Sequence, residues 1–289
     1  MFRMPNPFTC IVPGGRCDRD WAGGRPAPRR ESVNKNLRRG LRSCNYWLLP
    51  LIDARRIWTA LFGYAWYFRD WRRYRSMPGA ETLRLADARP LLNDRTSVTP
   101  FDAHYFYVNG WAMRRIVKNA PPRHADVGSD IMFVNLLASV VPVTFVDYRP
   151  LMVKCAGMMS VAGDALSLPF ATGSVPSLSS LHVTEHIGLG RYGDRLNPQG
   201  TLMAASELER ALAPNGSLFF ALPVGKPRTC FNAHRIHDSK AIREHFSRLD
   251  LVEFSGVHDD GTFVENTDLA EFSNDDYACG MFWFRKVAS

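Results

Sequence analysis

The chain has few of the features that assign a protein at sight. Its six cysteines, at positions 10, 17, 44, 155, 230 and 279, form no C-x-x-C pair and no cluster. That argues against a zinc ribbon or a disulfide framework and fits a reducing compartment. No apolar run is long enough to span a bilayer. The longest, Ile57 to Phe68, has 12 residues and contains Gly63. The opening residues, Met-Phe-Arg-Met-Pro-Asn-Pro-Phe, lack a secretory apolar core and a cleavage site. Internal repeats are absent, so solenoids are excluded. The expected setting is cytoplasmic.

Acidic residues are scarce at the N-terminal end. Residues 1–80 carry 16 Lys+Arg against 5 Asp+Glu, whereas the remainder carries 20 against 23. The net charge of +8 therefore belongs to the N-terminal region. The rest of the chain is close to neutral, and no nucleic-acid partner is expected. Residues 1–42 are rich in Pro, Gly and Arg without periodicity, which predicts a disordered basic arm. Residues 43–98 form a helical extension. Within it, Trp47, Leu48, Leu51, Ile52, Trp58, Leu61, Phe62, Ala65 and Trp66 give an apolar stripe flanked by arginines. Such a stripe docks on a core, or lies in a membrane interface as a peripheral contact. Docking is the expectation here.

The region 99–289 has a different rhythm. Thr99 to Lys118 reads as a helix that precedes the first strand, with His104, Tyr105 and Tyr107 as candidates for ligand contact or for packing. From His124 to Gly225 short apolar strands alternate with helical patterns. This predicts a doubly wound α/β domain built on a parallel sheet. Three successive strands end in acids: His124-Ala-Asp126-Val-Gly128, Val143-Thr-Phe-Val-Asp147 and Gly163-Asp164-Ala165. Ligands of such sheets sit beyond the carboxyl ends of the strands, so the acids point to a nucleoside-like ligand. Two further strands, Leu249 to His258 and Ala278 to Lys286, predict an antiparallel C-terminal hairpin. The turn after the first strand lacks G-x-G-x-x-G, and a nicotinamide-dependent Rossmann domain would not end on such a hairpin.

This order and spacing resemble the class I S-adenosylmethionine-dependent methyltransferases. The resemblance implies a Rossmann-like, seven-stranded sheet closed by the hairpin, with S-adenosylmethionine as cofactor. It implies cofactor contacts from Asp126 and Gly128 in the first turn, and from Asp147, 19 residues after Gly128, to the ribose hydroxyls. Asp164 and Ala165 would meet the adenine, and His182, in the string aligned to the fourth strand and the loop after it, is a further cofactor contact. Asp130 and Met132 stand where the family has further glycines, and Asp130 is expected to cap the following helix. Two strings, Ser177 to Asp194 and Pro223 to Ile236, are similar to an uncharacterised methyltransferase-like family often found beside polysaccharide-biosynthesis enzymes. A small-molecule or saccharide acceptor follows from that resemblance.

His186 and His234 are the candidate bases, both expected at the carboxyl edge of the sheet. His182-Val-Thr-Glu185-His186 also spells H-x-x-E-H, a zinc-peptidase motif. That chemistry needs both imidazoles one turn apart on a helix, but Ser177 to Val183 reads as a strand and Gly188 would stop a helix at once. No metal is expected from the motif. Methyl transfer to an oxygen or nitrogen is the functional expectation. A non-catalytic binding or scaffold protein of the same fold is the alternative.

Overall fold

A computed structural model describes residues 54–287, and the side chains from residue 62 onward. The expected basic arm at 1–42, and the start of the helical extension, lie outside the described residues. The chain divides into two units, Met1–Val98 and Thr99–Ser289. In the first, α1 (Ala54–Arg75) carries Arg72, Arg73 and Arg75 in its last turn, where cations suit the helix dipole. Its Trp66 lies under the Arg95 guanidinium, 5.1 Å from the ring centre. No described helix is long and apolar enough to cross a membrane.

The second unit opens with α2 (Ala103–Asn119). Asp102 caps it by accepting the Tyr105 N–H at 3.2 Å, and Ala120 ends it in a left-handed conformation. Then follow β1 (His124–Val127), α3 (Ile131–Ala138), β2 (Val143–Asp147), β3 (Met158–Ala162) and β4 (Val175–Leu181). After them come α4 (Gly200–Ala211), β5 (Leu212–Val224), β6 (Arg228–Cys230), β7 (His234–Ile236), α5 (Ser239–His245), β8 (Leu249–Val257), β9 (Phe263–Val264) and β10 (Ala278–Lys286). The main sheet runs β3-β2-β1-β4-β5-β10-β8-β9. The first five strands are parallel, and β10 pairs antiparallel with both β5 and β8. This is the methyltransferase type of Rossmann-like sheet with the C-terminal hairpin. The eighth strand, one more than expected, is the two-residue edge piece β9.

Period-two alternation sorts the sheet's apolar residues to its two faces. Phe220, Leu222, Phe282 and Phe284 pack with Leu208 of α4, Ile242 of α5 and Phe246, which ends that helix. Phe219, Ala221 and Met281 pack on the other face with Trp111 and Ile116 of α2 and Phe133 and Leu137 of α3. Each fully buried side chain of this size contributes about 1.5–3 kcal/mol of transfer free energy. One buried ion pair fixes α2 to the sheet. Arg115 donates to both carboxylate oxygens of Glu253 in β8, at 2.8 and 2.5 Å, and also to Glu265 at 2.7 Å. Trp111 Nε1 and the Ser255 hydroxyl donate to the same carboxylate, so its oxygens are well satisfied.

Candidate active site

The strand order reverses at β1, whose neighbours are β2 on one side and β4 on the other. Ligands bind outside the carboxyl ends of strands at such a reversal. A cavity lies there, lined by Gly128, Asp147, Asp164, Ala165, His182 and His186. Five of the six expected cofactor contacts thus converge on one hollow, together with one candidate base. Gly128 is needed twice over. Its φ of +69° suits glycine, and a Cβ would lie 2.9 Å from Val183 Cγ1 and 3.7 Å from Asp147 Oδ2. Gly163 opens the adjoining wall, where a Cβ would come within 2.5 Å of Val146 Cγ1. Asp147 turns one oxygen to the Arg149 N–H, and Asp164 turns one to the Leu166 N–H at 2.8 Å. Among the described residues the second oxygen of each has no hydrogen-bond partner.

Asp126, the sixth, does not line the cavity. It stands opposite Ser179 in the β1–β4 register, so its side chain is directed under the turn and is fully buried. It accepts the Ser129 N–H at 3.0 Å and the Ser179 hydroxyl. Ser179 in turn meets His124 Nε2 at 2.8 Å, and His124 Nδ1 meets Ser177 at 2.8 Å. Burial lowers His124 to about 3, leaving it neutral. Burial likewise raises the Asp126 carboxyl from 3.8 to about 6, against the pull of its hydrogen bonds. The role of Asp126 is to hold the turn.

A pH effect follows from this placement. The folded state binds the Asp126 proton more tightly than the unfolded state. Stability is therefore expected to fall as pH rises from about 4 to about 6, by roughly 3 kcal/mol for a two-unit shift. Asp126→Asn should flatten that window when denaturant unfolding is compared at pH 4 and pH 7. An unchanged slope would place the effect elsewhere.

Asp130 caps α3 as expected, accepting the Met132 and Phe133 N–H groups at 3.0 Å each. Two of the N–H groups at the start of α3 are therefore already bonded within the chain. A literal G-x-G-x-x-G does occur, as Gly188-Leu-Gly190-Arg-Tyr-Gly193, but it follows β4 and opens no helix. Its loop is closed by Asp194, which accepts the Gly188 N–H at 2.6 Å, and by Arg235 donating to Ile187 and Asn197 carbonyls.

A second cavity of about 630 Å³ shares His182, His186 and Tyr192 with the first. Its wall includes His104, Tyr105, Glu185, His234 and Tyr277. Tyr107, the other aromatic candidate on α2, instead stacks on Phe263 with ring centres 4.9 Å apart. His186 occupies a 3-10 turn, Thr184–His186, and His234 begins β7, so the two candidate bases face one space from two elements. His186 Nδ1 lies 2.6 Å from the Ala233 carbonyl and 3.2 Å from Arg191 Nη1; in the tautomer that donates to the carbonyl, the lone pair is on Nε2. That Nε2 lies 3.8 Å from Glu185 Oε1. Burial lowers His234, and it lowers His104 to about 4, so both are neutral near pH 7.

Sequence reasoning undervalued Glu185. It is fully buried, and its Oε1 lies 3.1 Å from His182 Nδ1 while its Oε2 has no hydrogen-bond partner among the described residues. Burial opposes its charge, but the bond and field of His182, with a pull from His186, hold it below the ordinary glutamate value. Burial also opposes charge on His182, and contacts with Cys279 and Glu185 outweigh it and raise that residue. The H-x-x-E-H imidazoles do not share a helix face: one joins Glu185 and Cys279, the other the Ala233 carbonyl.

Residues 172–286 match a family described as Caenorhabditis protein of unknown function, DUF268. That span contains both strings that carried the sequence resemblance. No curated protein matches the chain. Among solved structures, the N-methyltransferase NodS of Bradyrhizobium japonicum WM9, in complex with S-adenosylhomocysteine, is 15% identical with a TM-score of 0.47, covering 70% of this chain and 94% of its own. A putative sarcosine dimethylglycine methyltransferase of Galdieria sulphuraria is 12% identical with a TM-score of 0.46, covering 64% and 86%. A putative methyltransferase of Bacillus halodurans C-125 is 13% identical with a TM-score of 0.41, covering 61% and 99%. Likeness this remote assigns no residue a role.

Proposed function

We propose that this chain binds S-adenosylmethionine in the cavity at the β1 turn and methylates an oxygen or nitrogen of an acceptor held in the adjoining one. The observation that carries this reading is the convergence of Asp147 and Asp164, from the ends of β2 and β3, with Gly128 after β1 in one hollow, which shares His186 with the cavity that His234 also lines. The residues fit the group. Asp147 has a free oxygen for ribose hydroxyls, Asp164 has one for an amino group, and Gly128 and Gly163 leave the space that a Cβ would fill. When bound, the cofactor supplies an electrophilic sulfonium methyl.

The chain's own work is orientation and proton removal. His186 Nε2 takes the acceptor's proton, and the imidazolium that forms lies beside the Glu185 carboxylate. His234 and Tyr277, with ring centres 4.7 Å apart, position the acceptor from the opposite wall. The volume of that cavity suits a small molecule or a single saccharide unit. A saccharide acceptor, and with it a place beside polysaccharide-building enzymes, is part of the same proposal. So is a cytoplasmic setting, supported by three free thiols at Cys155, Cys230 and Cys279.

Loss of the Asp147 carboxylate tests the site. Asp147→Ala should weaken S-adenosylhomocysteine binding at least tenfold, about 1.4 kcal/mol, because charge-assisted hydrogen bonds to the ribose are lost. Equal affinity for the two proteins in a calorimetric titration would remove Asp147 from the site.

A further inference from the structure

Beside the second cavity lies a group of donors to which the methyl-transfer proposal gives no proton or group to move. His104 comes from the first turn of α2, His182 from the residue just after β4 and Cys279 from the second position of β10. Their donor atoms all lie within 4.8 Å of one another. His182 Nε2 is 3.2 Å from Cys279 Sγ, and the His104 and His182 rings lie nearly parallel with centres 5.6 Å apart. A tetrahedral ion with bonds of about 2.0–2.1 Å to nitrogen and 2.3 Å to sulfur sets its ligands roughly 3.3–3.8 Å apart. The His182–Cys279 pair is already close to that spacing. His104, which is only half-buried and faces open cavity, can rotate to reach it.

A second observation points the same way. Glu185 is fully buried, yet among the described residues its ionic partners are only His182 and His186. Its Oε1 lies against His182 Nδ1, so when the imidazole gives up a proton to take an ion, Nδ1–H stays on Glu185 and Nε2 is the ligand atom beside Cys279 Sγ. This carboxylate–histidine arrangement orients metal-bound imidazoles and strengthens them as ligands. The charges also balance. A Cys279 thiolate and the Glu185 carboxylate together carry two negative charges, which a divalent ion neutralises; among the described residues Glu185 pairs with no lysine or arginine.

We infer that His104, His182 and Cys279 form a site for a divalent transition ion of the zinc type, held on its far side by Glu185. Cys279 is fully buried, and the two histidines line the cavity. A fourth coordination position therefore faces the cavity, open to water or to a heteroatom of whatever lies there. The mixed nitrogen and sulfur donors favour zinc or cobalt over magnesium or calcium. Binding exchanges the Cys279 thiol proton for the ion, and that proton leaves to solvent. The site takes one imidazole of H-x-x-E-H and leaves the other, so it is distinct from the peptidase arrangement. It stands apart from the methyl-transfer reading, because its test uses neither cofactor nor acceptor.

The test is a cobalt(II) titration of the chelator-treated full-length protein, followed by absorbance. The expected result is saturation at one ion per chain, with the near-ultraviolet sulfur-to-cobalt charge-transfer band and the visible bands of tetrahedral cobalt, reversed by zinc. Cys279→Ser should remove the charge-transfer band. His104→Ala should weaken cobalt binding at least tenfold, while His186→Ala should leave the spectrum unchanged. Wild-type protein without the charge-transfer band would overturn the inference, whatever the variants do. So would a band that survives Cys279→Ser, or one lost in His186→Ala but kept in His104→Ala. Should the serine variant fail to fold, the wild-type spectrum and the His104→Ala affinity still decide.

Discussion

Arg115→Ala is expected to destabilise the α/β unit by about 3–5 kcal/mol, the largest single effect anticipated in the chain. The arginine and Glu253 side chains are only 10% and 13% exposed, and the substitution leaves that carboxylate without its cation. Trp111 and Ser255 would still donate to it, but two neutral donors do not replace a guanidinium. In a unit of this size the shift in melting temperature should be about 10 °C. Contact with Arg115 and the two other donors outweighs burial and holds Glu253 below the ordinary glutamate value. The pair's contribution is thus present above that value and drains away as pH falls through the lowered one. Replacing both partners by Met and Leu should cost less than Arg115→Ala alone, since no charge is then stranded. A loss under about 1 kcal/mol for Arg115→Ala would show the pair to be as weak as a solvated one.

The second large effect concerns turnover. With any acceptor found by screening for S-adenosylhomocysteine release, His186→Gln is expected to lower kcat by about 100- to 10,000-fold, the range for losing a positioned general base. Affinity for S-adenosylhomocysteine should stay within a few-fold, because the proton-accepting Nε2 belongs to the acceptor side. Glu185→Gln should lower kcat less, by removing the charge beside the imidazolium. If His186→Gln turned over normally while His234→Gln did not, the base would be His234 and the Ala233 contact of His186 a structural one.

What the sequence disclosed was local. Asp130 capping α3 could be read because a cap and its helix are adjacent in the chain. Asp147 and Asp164 could be placed because strand ends in a doubly wound sheet face the same edge. The hidden parts depend on contacts across long separations. Asp126 looked like a ligand contact from its position near a strand end. Only the register with Ser179, 53 residues on, shows that its side chain lies under the turn. Cys279 meets His182 across 97 residues, and nothing near either hinted at the other. Tyr107 carried the same aromatic signal as Tyr105, yet one packs on Phe263 and the other lines a cavity, a choice made by helix rotation. The edge strand β9, two residues long, has too little pattern to detect.

The most direct test of the central claim is a calorimetric titration of the full-length protein with S-adenosylhomocysteine and, in parallel, with NAD. The placement of Asp147, Asp164 and Gly128 predicts saturable binding of S-adenosylhomocysteine at one site per chain, with no heat of binding from NAD. No binding of S-adenosylhomocysteine would contradict it. The fold would then serve as a scaffold, with the α3 donors taken by Asp130 as the reason.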